Sequence, residues 1–170
     1  MTAAVDELIA RLADVERRLG EHASRPLPPG LTEPDPGGEE RWEAGQVWAH
    51  LAEFPAYWLA QAQRVVALPT NEPVPFGRVK TDAERVAAIE RDRHTDPAAL
   101  LDRVRAQLAE VTAAARSLPP EAWALRGIHP VRGEMTVEQI IERFIAGHLE
   151  EHADQLDGLD APPDRSVKDP

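Results

Sequence analysis

Apolar residues spaced three and four apart, repeatedly cut by proline, constrain this chain more than any other feature. Val5, Leu8, Ile9, Leu12, Val15 and Leu19 trace one stripe of a helix. From Ser24 to about Glu40 come Pro26, Pro28, Pro29, Pro34, Pro36 and Gly37-Gly38, which no helix survives. A connection this long serves as a lid, a binding loop or an unstructured linker. The spacing predicts a second helix from about Trp42 to Leu68, with Val47, Leu51, Phe54 and Trp58 buried and a bend near Leu51 caused by Pro55. A loop from Thr70 to Lys80, with Pro73 and Pro75, separates it from a third helix opened by a capping box at Thr81–Glu84.

That third helix is expected to break at His94-Thr95 and restart at Asp96-Pro97, an N-cap followed by proline in the first turn. Leu100, Leu101, Val104, Leu108 and Val111 carry it towards Leu118, where Pro119-Pro120 ends it. Glu121 to Glu134 reads as an irregular connection with one short turn at Trp123. Thr136–Gln139 is a second capping box, opening a last helix to about Leu156. No strand-like alternation is visible. The prediction is an all-α four-helix bundle with long Pro-rich loops, a single domain over residues 1–157 and a flexible C-terminal tail over 158–170.

Composition narrows the function. Nineteen Lys+Arg against thirty Asp+Glu leave a formal charge of −11 over 170 residues, which repels a phosphate backbone and argues against nucleic-acid binding. The apolar runs fall far short of the roughly 18 residues a membrane span requires. Met1–Leu12 contains Asp6 and Glu7 and lacks the cationic start of a signal peptide, so the expectation is a cytoplasmic protein. With no cysteine there is no disulfide, thiolate ligand or cysteine nucleophile. Lys80 and Lys168 are the only lysines among the basic residues; arginine, alanine and proline abound, a codon bias of high-GC bacteria.

The histidines carry the chemistry. At 100° per residue, Val137, Ile141, Phe144 and His148 fall within an arc of about 60°, and His152 follows about 40° further round. Two histidines four apart on one helix face reach a common metal ion. His50 lies at the edge of the stripe holding Leu51 and Phe54, so three imidazoles point into one bundle interior. Core histidines bonded to carbonyls are the plainer alternative, but burying three imidazoles together is costly unless something satisfies them. Bundles build metal sites from such inward side chains. His148–His152 also fits the H-x-x-E-H pattern of inverted zinc peptidases, yet only 18 residues follow His152, too few to bring their downstream acidic ligand. Glu151 stands about 60° from His148, placed either to touch a water on the metal or to be solvated.

Trp42–Leu51, with Trp42 eight residues before His50, together with Met135–Ile141 leading into Gly147–His152, resembles the DinB/YfiT-like superfamily. The resemblance implies a four-helix bundle holding a divalent metal, often zinc or nickel, on one ligand from the second helix and two from the last. Position by position these are His50, His148 and His152. It also implies small-molecule chemistry. Relatives include bacillithiol-dependent S-transferases, mycothiol-dependent isomerases, glutathione-type transferases and metal-dependent hydrolases. Some of the isomerases have glutamate in place of the first histidine of the last helix, and His148 departs from them.

The reading that follows is a metal-dependent S-transferase using a low-molecular-weight thiol of the mycothiol or bacillithiol type on small electrophiles. A metal-binding bundle without turnover, serving as a sensor, a carrier or a stress-response binding module, is one alternative, and a metal-dependent hydrolase is another. Three protein ligands leave a position at which the metal lowers the pKa of water or of a thiol. Trp48, Trp58 and Trp123 are placed to wall a pocket or to fill the core. Arg78, Arg126 and Arg132 are candidates for an acidic substrate or thiol, with solvated loop arginines as the plainer role. His94 and His129 read as loop residues. The first helix and the long loops offer surfaces for a homodimer.

Overall fold

The computed structural model describes residues 3–34, 39–68 and 72–160. Its helices are α1 (Ala3–Ala23), α2 (Ala44–Leu51), α3 (Phe54–Ala67), α4 (Ala83–Asp92), α5 (Pro97–Ser117), α6 (Val137–Ile141) and α7 (Gly147–Asp160). α1 packs on α5 and α7, α2 on α4, α5 and α7, and α3 on α5 and α6. Four arms therefore form the bundle: α1, α2–α3, α4–α5 and α6–α7. Leu12, Leu19, Val47, Trp48, Leu51, Phe54, Leu100, Val104, Ile140, Ile145 and Leu149 belong to one continuous core. None of the described helices is long and apolar enough to cross a membrane.

Several sequence expectations need correction. The helix expected over Trp42–Leu68 is two helices, because Pro55 sits in the first turn of α3, where its missing N–H costs nothing. Ala52 and Glu53 form the break, and the expected bend is a fresh start. The third arm is capped one residue later than expected: Asp82, not Thr81, accepts the backbone N–H of Arg85 at 3.0 Å. The restart at Asp96-Pro97 is as expected, with Asp96 accepting from Ala98 N at 3.1 Å. α7 runs to Asp160, past the expected tail boundary at Gly158. Residues 161–170 of that tail lie outside the described residues, as do 35–38 of the first proline loop and 69–71 of the second.

The largest departure is a small sheet. β1 (Val74–Pro75) pairs in parallel with β2 (Arg126–His129), which pairs antiparallel with β3 (Gly133–Thr136). Strands of two to four residues are too short to show alternation in sequence. The hairpin turns at Pro130–Arg132, and Gly133 with φ 75° supplies the left-handed backbone that follows. Thr136 then caps α6, accepting from Gln139 N at 3.2 Å while Gln139 Oε1 accepts from Thr136 N at 2.9 Å. Between α6 and α7 lies one π-helical turn, Glu142–Ala146. The described part of the first proline loop has neither helix nor strand and is tied back where Thr32 N donates to Trp42 O at 2.8 Å and Trp42 N to Thr32 Oγ1 at 3.0 Å.

Candidate metal centre

His50 stands in the last turn of α2, and His148 and His152 occupy successive turns of α7. The packing of α2 against α7 brings all three together. His50 Nε2 lies 3.1 Å from His148 Nε2, and His152 Nε2 lies 3.2 Å from the same atom. Among the described residues these three form a group whose potential ligand atoms all lie within 4.8 Å of one another. His50 and His152 are buried, at 3% and 5% exposure, while His148 is part-exposed and opens the site to one side. Aromatic rings wall the rest. Trp42 stacks on His152 at 5.9 Å and meets His50 edge-on at 5.2 Å; the Phe54 ring is 4.6 Å from that of His148.

The other ring nitrogens follow a common rule: each Nδ1 faces an oxygen three residues along its own chain. His152 Nδ1 donates to Gln155 Oε1 at 2.7 Å, and His148 Nδ1 to Glu151 Oε2 at 3.2 Å. His50 Nδ1 faces Glu53 Oε2 at 3.4 Å, outside hydrogen-bond geometry. Protons donated from Nδ1 of His148 and His152 leave their Nε2 lone pairs directed at the space they share with His50 Nε2. Such a set repels itself without a cation and suits a metal. Ligands at about 2.0–2.1 Å in tetrahedral array stand about 3.3 Å apart, close to the separations found here. The residues therefore fit a divalent transition metal.

Burial drives the His50 pKa well below the usual histidine value, helped by charge on His152, His148, Arg85 and Arg78. His50 is thereby held neutral, the form that ligates metal. The Glu151 pKa is lowered by its bond from His148, against a smaller opposing effect of burial. Glu151 lies on the far side of the imidazole from Nε2, so it orients His148 and is not positioned to activate water as in an inverted zinc peptidase.

The remaining sequence candidates fall elsewhere. His94 is exposed between α4 and α5. His129 is on β2, not a loop; it is buried, its Nδ1 accepts the N–H groups of Val131 and Arg132 at 3.2 Å each, and it stacks on Phe144 at 5.2 Å. Its pKa is lowered, chiefly by burial. Trp48 is core, Trp58 stacks on Phe144 at 4.0 Å, and Trp123 packs part-buried against the core. Arg78 is paired with Glu53 and Arg126 with Glu134. Arg132 lines an open cavity of about 520 Å³ together with Glu134, Glu142, Arg143 and Glu151. Sequence reasoning passed over Trp42 as a wall, and Glu53 and Gln155 as partners of the ligands. The repeated His-x-x-Glu/Gln spacing at 50–53, 148–151 and 152–155 was the available signal.

The sequence profile of the DinB superfamily matches residues 26–156, most of the chain and all three histidines. The chain belongs to the DinB superfamily. The fold agrees. YfiT from Bacillus subtilis, described as a probable metal-dependent hydrolase with an unusual four-helix bundle topology, superposes with a TM-score of 0.70 at 19% identity, covering 94% of this chain and 87% of YfiT. A mycothiol-dependent maleylpyruvate isomerase superposes at 0.65 and 15% identity, and its histidine-to-alanine variant at 0.63 and 16%. This DinB superfamily chain spans 63% of the isomerase's length. No curated protein matches it in sequence.

Proposed function

We propose that this DinB superfamily protein is a metal-dependent enzyme acting on small molecules, with His50, His148 and His152 as the ligands of a zinc or nickel ion. The observation that carries this reading is the convergence of three Nε2 atoms whose Nδ1 atoms each face a side-chain oxygen on the opposite side. A metal held there supplies a Lewis acid that lowers the pKa of a thiol or of water. The protein's own part is to fix the three imidazoles, to keep His50 neutral and to exclude water with Trp42 and Phe54. The part-exposed edge at His148 is the side from which a small molecule enters.

Thiol transfer suits these residues better than hydrolysis. Hydrolysis is helped by a carboxylate that takes a proton from the attacking water, and Glu53 and Glu151, which face the histidines, both stand on Nδ1. A low-molecular-weight thiol of the mycothiol or bacillithiol type needs only the Lewis acid to become nucleophilic, and the chain has no cysteine of its own. The cavity beside Glu151 takes the rest of the reactants. Its Glu134 and Glu142 are paired to Arg126 and Arg11, whereas Arg132 and Arg143 have no carboxylate within ion-pair distance among the described residues, which favours an anionic group.

Metal content by plasma mass spectrometry tests the site. About one equivalent in the native protein, lost in both His50→Ala and His148→Ala, is the expected result; a native protein that stays empty after supplementation refutes it. A shift of the visible spectrum of the cobalt-substituted protein on adding mycothiol or bacillithiol separates thiol transfer from hydrolysis.

A further inference from the structure

Of the three oxygens that face the Nδ1 atoms, one differs from the others. Gln155 is neutral, and Glu151 is a solvated carboxylate, 68% exposed. Glu53 is a carboxylate with only 12% of its side chain exposed. Its position follows from the proline break: Glu53 is the residue immediately before α3, turned inward by the fresh start that Pro55 dictates. One carboxylate oxygen, Oε1, is taken by Arg78, itself only 9% exposed and lying 3.9 Å over the Tyr57 ring. The other, Oε2, has no hydrogen-bond partner, and neither has His50 Nδ1, although both are fully buried and stand 3.4 Å apart.

Two buried polar atoms without partners are costly, more so when one is charged. Here each is the partner the other lacks. A ring movement of about 0.5 Å brings them to ordinary hydrogen-bond distance. Arg78 comes from the segment after β1, which is anchored where Phe76 N donates to Ile128 O at 3.1 Å and Gly77 N to Gln61 Oε1 at 2.9 Å. The carboxylate is therefore held from outside the metal-bearing helices.

We propose that Glu53, clamped by Arg78, is a positioning residue that holds the proton of His50 on Nδ1 and aims Nε2 at the metal. This rests on the metal reading above and assigns the buried carboxylate a larger share of metal affinity than the exposed Glu151. Loss of such a partner costs about 10–100-fold in metal affinity. The test is zinc affinity of the full chain by chelator competition, beside the visible spectrum of the cobalt-substituted protein and the unfolding temperature of the metal-free protein. Glu53→Gln is expected to bind zinc at least tenfold more weakly and to alter the cobalt spectrum, with a smaller loss in Glu151→Gln, whose carboxylate is solvated. Arg78→Met, which frees the carboxylate and leaves it in place, is expected to weaken zinc in the same direction and keeps the proposal testable if Glu53→Gln does not fold. Native affinity and spectrum in Glu53→Gln, or an equal loss in Glu151→Gln, overturns the positioning role while the metal reading stands. A native protein that binds no zinc overturns both.

Discussion

Gly45 lies in the first turn of α2, five residues before His50, and packs there against the end of α4. A Cβ built on Gly45 meets the backbone oxygen of Arg93 at 2.2 Å and its carbonyl carbon at 3.3 Å. No side-chain rotation relieves a backbone atom, and Arg93 is itself fixed by ion pairing to Glu43 at 2.7 Å. Gly45→Ala must therefore move α2 and α4 apart by about 1 Å, and overpacking of this kind costs about 1–3 kcal/mol. Alanine's helix preference returns at most about 1 kcal/mol. The net expectation is a loss of about 1 kcal/mol, or about 2–4 °C in unfolding temperature for a chain of this size. Helical circular dichroism of the metal-free protein during heating reads it. Gly158→Ala in α7 is the matched control, because its Cβ meets nothing within 4 Å and only the helix preference remains. An unchanged or raised midpoint in Gly45→Ala would refute the close approach of α2 to α4.

Two further predictions concern stability. The Asp92 pKa is lowered from 3.8 to about 2, first by its bonds from Arg91 and then by Arg103, against the opposing effect of burial. A depressed carboxylate stabilises the fold above its unfolded pKa and loses that contribution as pH falls through the folded one. The stability gap between native protein and Asp92→Asn should therefore close between about pH 4 and pH 2. Because Arg91 and Arg103 are 68% and 44% exposed, screening reduces the gap to about 1 kcal/mol; denaturant titrations at pH 6 and pH 2.5 that give the same gap would contradict it. His22, buried at the end of α1, holds the last turn of α7 through Asp157 at 2.8 Å and Asp160 at 3.0 Å. His22→Phe removes both bonds at a cost of about 1–3 kcal/mol. It should speed amide exchange in residues 157–160 while leaving α2 protected, and unaltered exchange there would show the clamp to be idle.

The bundle was legible because helix periodicity and proline punctuation act locally. Asp96-Pro97 and Thr136–Gln139 state a cap and a start within four residues, and both form where read. The sheet was hidden because its pairing is non-local. Val74 meets Gly127 more than fifty positions away, in strands too short to alternate. The three histidines were legible by spacing, since α7 sets His148 and His152 one turn apart whatever else surrounds them. Their Nδ1 partners are less legible, although Glu53, Glu151 and Gln155 stand three residues beyond each histidine. Glu53 falls inside the span expected to be one helix, and the proline break places it at the start of α3, facing His50.

The π turn at Glu142–Ala146 explains why His148 is less buried than helical periodicity implies. Counting at 100° per residue from Val137 places His148 inside the apolar stripe, with Ile141 and Phe144 beneath it. A π turn takes up one extra residue, so the count slips as it crosses Glu142–Ala146. From Ile145 in that turn onward the fully buried line is Ile145, Leu149, Ala153 and Leu156, and His148 is left on the flank that faces α2, with its ring against Phe54. His152 lies nearer the core line and is buried. The slip therefore gives the pair unequal exposure, one imidazole packed under Trp42 and one at the rim. A closed structural site needs neither a π turn nor an exposed ligand. A site that admits a small molecule needs one edge of the ligand set at the surface, and in this chain the π turn puts His148 there.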